Sequence, residues 1–457
     1  MDRMALMVND RAVGGELAVP CMRGEVPGPQ SVTLHARAAR HIKGYSSQVR
    51  LFPVVFESGS GVTLRDVDGN VYLDFSSGIY VTGLGHCHPK VTEAVQRAAA
   101  TLMNAHDFTT PQKVRCAEML AARSMGDLDG VQLYDAGTAA VEAALRIARA
   151  ATGRFEFLSF HRDFHGKTMG AVSLGRLDPS QGPRAPGFVL APRPDVYRRP
   201  VGMTDAEHAA DTLARVRQVI AEETSGRLAG IVLEPIQGWA GTIIPPDGFI
   251  QGLRALCDEL GALLIADEVL TGLGRTGKMF AMEHWDTLPD VMTLGKQLGN
   301  GFPVSAVLVR APYMAAVETI SASTSYGGNP MACAAAVASL QVIEDEGLVQ
   351  RSAELGGIML HRLEQIRDAH PIVGDVRGKG LLQAIELVKD RDTREPFEEA
   401  GRETYRRAFG KGLAWIPAGH ILRLSPPMVM TDEQAMLGLD IIEEAIAETE
   451  VALGFAR

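Results

Sequence analysis

The chain has 457 residues, 46% hydrophobic and 22% charged, with a net charge of −10 at neutral pH. These are globular proportions, sufficient for one large domain and a smaller one, and the acidic balance without any basic block interleaved with aromatics argues against nucleic-acid binding. Five cysteines (Cys21, Cys87, Cys116, Cys257 and Cys333), never in C-x-x-C form, point away from a zinc site or a disulfide framework and fit a reducing cytoplasm. No run of about 18 apolar residues and no signal-like N-terminus occurs, so neither membrane spanning nor secretion is expected.

Residues 1 to about 30 lack a clear period and read as an arm. Between Phe52 and Phe75 the short alternating segments PVVFE, VTLRDV and VYLDF, split by Gly59, Gly61 and the turn Asp68-Gly69-Asn70, predict small antiparallel hairpins. Helical periodicity follows in VTEAVQRAAATLM, AAVEAALRIARAA and DAEHAADTLARVRQVIAEE, alternating with the apolar strand-like runs GIVLEPI, ALLIADEV and VSAVLVR. That alternation implies an α/β domain with a mostly parallel, doubly covered sheet and a ligand at the carboxyl ends of its strands. The Pro- and Arg-rich stretch 178–202 reads as a long surface loop. Beyond Ala338 a helix, the strand GLLQAIELV and a closing helix from Thr431 suggest a smaller α+β domain. Three segments are therefore expected: an arm with a small antiparallel segment (1–75), a large domain (76–338) and a small C-terminal domain (339–457).

The stretch LLIADEVLTGLGRTGK (263–278) carries the first functional signal. Gly272, Gly277 and Lys278 fit the phosphate-loop pattern, but Met279 stands where a magnesium-binding hydroxyl belongs and the order relative to the strand is wrong. Gly272, Gly274 and Gly277 also fit a dinucleotide pattern, yet no amphipathic helix follows. Asp267 by itself reads as a helix cap or a partner of Arg275. A carboxylate ending a buried strand needs something that keeps it charged, and a protonated pyridine nitrogen would do so.

Lys296, between an apolar run and a Gly-rich turn, is either an ordinary surface charge or a desolvated nucleophilic amine. With Asp267 it would supply the lysine and ring-nitrogen acid that a carbanion-stabilising cofactor requires. Gly137 and Thr138 open a strongly helical run and suit a phosphate, although a threonine there also reads as a plain cap. Phe164 follows the strand-like FEFLSF, where it fits a ring-stacking aromatic or a core residue.

From about Val54 to Asp440 the chain resembles the class III (ω-type) pyridoxal-phosphate aminotransferases of fold type I. The likeness runs through DVDGNVYLDFSSG, GLGHCHP, GTAAVEAALRIAR, FHGKT, EPIQG, ADEVLTGLGRTGK, TLGKQLGNGFP, SYGGNPMACAAAVAS and LRLSPPMVMT, in family order. The resemblance implies pyridoxal 5'-phosphate as cofactor, Lys296 as its Schiff-base lysine, Asp267 as the pyridinium partner, and Val269 and Phe164 on the two ring faces. Gly137 and Thr138 match the phosphate loop, and Glu234 matches a supporting carboxylate. Ser325 stands where a hydroxyl residue reaches the phosphate from a neighbouring subunit, which implies a homodimer with shared sites. Arg423 matches the arginine that grips a substrate carboxylate. No metal is implied.

Four departures bear on the substrate. Asp135-Ala136 and Ala139 replace hydroxyl, amide and acid positions around the phosphate loop, Leu270 stands in place of a glutamine near the phenolic oxygen, and Trp239 in place of a glutamate that pairs with the carboxylate-binding arginine. Lys167 falls where some members carry an arginine for a distal carboxylate. Tyr80 and Trp239 are aromatics suited either to stacking a sugar or apolar ring or to ordinary packing. The expected function is ping-pong transfer of an amino group between an amine and a keto acid. Amino-sugar aminotransferases of aminoglycoside antibiotic biosynthesis are the favoured branch, beside ω-amino acids such as 4-aminobutyrate or ornithine; epimerisation and decarboxylation are the rival outcomes.

Overall fold

Strand pairing across the turn Asp68-Gly69-Asn70 shows how local chemistry starts the fold. The Asp66 carboxylate accepts the backbone N–H groups of Asp68 (3.0 Å) and Asn70 (2.8 Å) and the Tyr72 hydroxyl (2.8 Å), while Gly69 takes a φ of 88°. The computed structural model describes residues 6–10, 15–175, 182–417 and 419–455. In the N-terminal segment β1 (Leu6–Asp10) and β2 (Gly15–Val19) pair antiparallel, and a helix follows at Pro29–Ala38, so the expected arm carries regular backbone structure. The predicted hairpins are β3 (Phe56–Ser60), β4 (Thr63–Asp66) and β5 (Val71–Asp74), antiparallel in sequence order.

The central segment builds one seven-stranded sheet. Its strands are β6 (Gly130–Tyr134), β7 (Glu156–Phe160), β8 (Phe188–Ala191), β9 (Leu228–Leu233), β10 (Leu263–Asp267), β11 (Val291–Leu294) and β12 (Ser305–Val309). They lie in the order β6-β12-β11-β10-β9-β7-β8. All direct neighbours pair parallel except β12, which runs antiparallel to both β11 and β6. Every residue of β9 to β12 is buried, which explains their continuous apolar runs: strands covered on both faces have no solvent side to alternate towards. The helix Gly137–Thr152 packs there through Ala140, Val141, Ala144, Leu145 and Ala148, and stops at Gly153 in the left-handed conformation. β8 corrects the reading of 178–202 as loop throughout. Phe188 and Leu190 sit among prolines that hide the strand, and among the described residues β8 is an edge strand with a single neighbour, where a four-residue element suffices; residues 178–181 lie outside the described residues.

The C-terminal segment holds β13 (Val373–Lys379), β14 (Leu382–Leu387), β15 (Leu413–Ala414) and β16 (Ile421–Leu424). β13, β14 and β16 form an antiparallel sheet flanked by helices, as an α+β reading requires. The closing helix Asp432–Ala452 begins at Thr431 with a reciprocal capping box to Gln434. The chain divides into two units, residues 1–88 with 353–457, and residues 89–352. These differ from the expected three segments, because β15 joins β5 in parallel (Leu413↔Leu73, Ala414↔Asp74) and makes the first and last segments one body. A pairing between residues so far apart leaves no trace in local periodicity. Among the described residues no helix is long and apolar enough to cross a membrane.

Candidate active site

Asp267 ends β10 at the carboxyl edge of the large sheet and is 5% exposed. Its Oδ1 accepts from Thr293 Oγ1 (2.8 Å), the residue opposite it on β11, and from Val269 N (3.1 Å). Its Oδ2 lies 2.7 Å from His165 Nδ1. On the other side of that ring, Nε2 is 3.3 Å from Asp163 Oδ2 and 3.2 Å from Ser159 Oγ. Burial opposes charge on the imidazole, yet hydrogen bonds and charges from Asp163 and Asp267 raise its pKa to about 10. His165 is therefore an imidazolium at neutral pH and both ring nitrogens donate. Burial alone would raise Asp267 too, but the hydrogen bond and charge of His165, followed by the charge of Lys296, hold it below the ordinary carboxylate value.

A second layer fixes the loops around this chain. Gln237 Nε2 donates to Asp163 Oδ1 (2.5 Å), and the buried Arg193 donates to the carbonyls of Glu234 (2.6 Å) and Pro235 (2.7 Å). Glu234 accepts from Phe164 N (2.8 Å) and Gly238 N (3.0 Å), tying the end of the β7 loop to the segment after β9. Burial, then the charge of Asp163, pushes Glu234 up to about 7. The Phe164 ring lies 5.7 Å from that of Trp239, tilted by 32°, and both are 38% exposed. Trp239 sits on the tip of a tight hairpin closed by two backbone hydrogen bonds between Gln237 and Ile243 (3.1 Å each) and held by Arg162 Nη2 to Ala240 O (2.8 Å).

Lys296 follows β11 in a short turn, Lys296–Leu298, with a φ of 43°. A lysine in the left-handed region is uncommon and strained, and such residues gather at functional sites. The buried Gln297 beside it donates through Nε2 to Gly272 O (2.9 Å) and Leu273 O and accepts from Arg275 Nη2 (3.3 Å). So Gly272 to Lys278 is a loop clamped to the lysine turn, and the short helix after it, Ala281–Trp285, is 3₁₀. Glu268 has partners of its own and accepts from Thr271 Oγ1 (2.5 Å), Ala281 N (3.0 Å) and Met282 N (2.8 Å); burial raises it to about 7.

Val269 packs between Gly137 and Gly295: a Cβ on Gly137 would meet Val269 Cγ1 at 3.0 Å, and one on Gly295 at 3.3 Å. The helix Gly137–Thr152 has Ala136 at its N-cap, with no side-chain cap, so its first N–H groups are available to an anion. Thr138 Oγ1 lies 2.7 Å from Thr168 Oγ1. Leu270 is buried, its Cδ1 so close to Gly238 that a Cβ there would approach to 2.4 Å; an apolar contact occupies the position where an amide was absent from the sequence.

The central unit thus brings together Asp267, Lys296, Val269, Gly137, Thr138, Phe164, Glu234 and Trp239. Lys167 is exposed on the loop after Phe164, and Ser325 is exposed, with its carbonyl accepting from Asn104 Nδ2 (2.8 Å). Arg423 and Tyr80 belong to the other unit, where both are buried and the guanidinium carbon lies 5.8 Å from the ring centre. Sequence reading gave no role to Asp163, His165, Arg193, Thr293 or Gln297. His165 stands inside the motif FHGKT, but nothing local signals that its partner is on another strand.

The residues fit pyridoxal phosphate. A buried, ionised acid, an uncapped helix N-terminus, a glycine cradle around Val269 and a lysine in a strained turn converge at the same strand ends. The family model "Aminotransferase class-III" matches residues 45–446. The chain is 38% identical over 408 residues to a 5-aminovalerate aminotransferase of Pseudomonas aeruginosa, covering 87% of this chain and 95% of the relative. It is 35% identical over 439 residues to an alanine/serine racemase of Pyrococcus horikoshii, covering 93% and 92%. The ω-transaminase of Pseudomonas jessenii, solved in complex with PMP, superposes with a TM-score of 0.88 at 26% identity over 93% of this chain and 100% of that one. With the family matched over most of its length, the chain belongs to the class III aminotransferases, the pyridoxal-phosphate-dependent enzymes of fold type I.

Proposed function

We propose that this aminotransferase moves an amino group between an amino acid or amine and a keto acid, with Lys296 as the acid–base residue and Asp267 as the cofactor's ring-nitrogen partner. The observation that carries the reading is the buried carboxylate of Asp267, kept charged by His165 beside the turn of Lys296. When bound, pyridoxal phosphate supplies a sink for the electron pair left when the substrate C–H bond breaks. Lys296 would take that proton from the substrate carbon through its amine as general base, and would deliver it again as general acid. Asp267 holds a proton on the ring nitrogen, Gly137 and Thr138 receive the phosphate, and Phe164 and Val269 cover the two ring faces. Glu234 fixes the loop backbone at Phe164 and Gly238. Arg423 grips the substrate carboxylate, while Trp239 and Lys167 line the substrate side.

The exposed apolar residues Leu102 (45%), Met103 (60%), Phe108 (79%) and Tyr326 (64%), in the segments that Asn104 and Ser325 join, support a homodimer in which Ser325 reaches the partner's phosphate. Five free cysteines support a reducing, cytoplasmic setting. Relatives named for 5-aminovalerate and 4-aminobutyrate favour an ω-amino acid over the amino-sugar reading. The racemase relatives support a second reading, return of the proton to the opposite face without transfer.

The test is a panel of ω-amino acids, amino sugars and α-amino acids incubated with the loaded protein and a keto acid in deuterated water. Transfer to the keto acid is expected for an ω-amino acid. Deuterium exchange with inversion and no transfer supports the racemase reading, and release of carbon dioxide would overturn both. Lys296→Ala should lose the yellow colour of lysine-bound cofactor; a Lys296→Ala protein that stayed yellow would remove Lys296 from its role.

A further inference from the structure

The helix Gly137–Thr152 and the loop after Phe164 are joined by a chain of hydrogen bonds through Thr138, Thr168 and Glu142. A single carboxylate oxygen, Glu142 Oε1, accepts from Gly170 N (3.0 Å), Ala171 N (3.1 Å) and Thr168 Oγ1 (2.6 Å). Gly170 and Ala171 belong to the first turn of the short helix Met169–Ser173, whose N-cap Thr168 makes no side-chain cap of its own. Glu142 supplies that cap from another element. The approach is close: a Cβ on Gly170 would come within 2.6 Å of Glu142 Oε2, and one on Gly166 would run into Thr138 Oγ1.

The chain has a fixed direction. Two backbone N–H groups, which can only donate, already face Glu142 Oε1, so this oxygen is an acceptor and the Thr168 hydroxyl gives its single hydrogen to it. Thr168 Oγ1, 2.7 Å from Thr138 Oγ1, can then only accept there, and the hydrogen between the two oxygens belongs to Thr138. Thr168 N donates back to the same Thr138 oxygen (3.4 Å). The Thr138 side chain has therefore committed its one hydrogen to the loop. Turning it towards a phosphate would leave two hydroxyl oxygens 2.7 Å apart with no hydrogen between them.

We infer that Glu142, acting through Thr168, is a positioning residue that keeps the Thr138 hydroxyl turned to the loop, so that the cofactor phosphate is received by the backbone N–H groups of Gly137 and Thr138. The side chain of Thr138 then docks the loop that carries Phe164 and His165 onto the phosphate helix. This rests on the proposed cofactor site and names the atoms through which Thr138 takes part in it.

The test titrates the cofactor-free protein with pyridoxal 5'-phosphate and with pyridoxal, which share ring and aldehyde and differ in the phosphate, and follows the absorbance of the lysine-bound form. The quantity read is the ratio of the two affinities. Thr138→Val removes the hydroxyl and keeps the shape; both affinities should fall together, with the ratio within about twofold of the parent protein. A selective loss of pyridoxal 5'-phosphate by roughly tenfold or more, the size expected when a hydrogen bond to a charged group is removed, overturns the proposal. Thr168→Val takes away the acceptor and releases the Thr138 hydrogen, so the ratio should rise roughly threefold or more; an unchanged or lower ratio also overturns it. Glu142→Leu should raise the ratio as well, although both affinities fall, whereas Glu142→Gln keeps an accepting oxygen and should keep the parent ratio. Loss of docking alone would lower both affinities in Glu142→Leu and leave the ratio unmoved, which counts against the proposal. Any one of the valine and leucine variants that folds decides the matter. A parent protein that takes up neither form sinks the cofactor site and this inference with it, while a parent that binds both and a Thr138→Val protein that loses only the phosphorylated form sink the inference alone.

Discussion

His165 donates from Nδ1 to Asp267 Oδ2 across 2.7 Å, joining the loop after β7 to the end of β10, and the acid is thereby held ionised by a buried cation instead of by water. The stabilisation from this pair has two pH limits. The folded-state pKa of His165 is raised, to about 10, so its contribution is complete below the ordinary histidine value and disappears as pH rises through about 10. That of Asp267 is depressed, so its contribution is present above the ordinary value of 3.8 and disappears as pH falls through the lowered one. Urea midpoints should hold across the interval and decline at its alkaline end. His165→Gln should lose about 3–5 kcal/mol at neutral pH, because two buried carboxylates lose their cation, and should lack the share of the alkaline decline that His165 causes. Parallel alkaline limbs in the two proteins would disprove the pairing as a source of stability.

Asp267 and Glu268 are adjacent acids with opposite duties. Glu268 caps the turn at Ala281 and Met282, so Glu268→Ala should lower stability by about 1–3 kcal/mol while the protein still takes up pyridoxal phosphate. Chemical denaturation and cofactor absorbance read the two effects separately. Asp267→Ala should show the reverse emphasis, losing the cofactor first.

Gly137→Ala places a methyl 3.0 Å from Val269 Cγ1. Overpacking of this kind amounts to about 1–3 kcal/mol, so cofactor affinity should fall by roughly one to two orders of magnitude in titrations of the cofactor-free protein. Gly137→Ala with Val269→Ala should recover part of the loss. Full affinity in the single variant would mean that the cradle is slack.

Gln297 ties the loop Gly272–Lys278 to the lysine turn, and Arg275 within that loop has no exposed surface. Gln297→Met keeps the volume and removes the hydrogen bonds. Trypsin should then cut after Arg275 or Lys278 at least several-fold faster than in the parent protein, as the loop opens at lower free energy. Identical digestion rates would show the loop to be held by other contacts.

The legible parts of this molecule are those whose cause is local. The continuous apolar runs of β9 to β12 report burial on both faces, the Thr431–Gln434 pair reports a helix start, and Asp267 and Lys296 stand out because a charge at the end of an apolar run needs a reason. The reversed direction of β12 was not legible, since SAVLV has the same pattern read either way. β15 is two residues long, and its partner β5 lies in the opposite end of the chain. His165 and Asp267 are 102 positions apart, and the left-handed turn at Ile79 contradicts what a β-branched residue prefers. In each case the deciding contact is distant in sequence.

The row formed by Asp267, Thr293 and Val307 follows from strand register alone, each residue opposite the next on β10, β11 and β12. Trp239, by contrast, rides on the tip of a short hairpin outside the sheet. Under the proposed roles the acid and the lysine follow strand ends and Trp239 a hairpin tip, with Gln237 at the hairpin's base tied to the acid's network through Asp163. If Trp239 lines the substrate side as proposed, exchanging the residues at 239–241 should retune what is accepted while the register of β10 to β12 stays intact, so a library confined to that tip should yield altered preferences among proteins that still bind the cofactor.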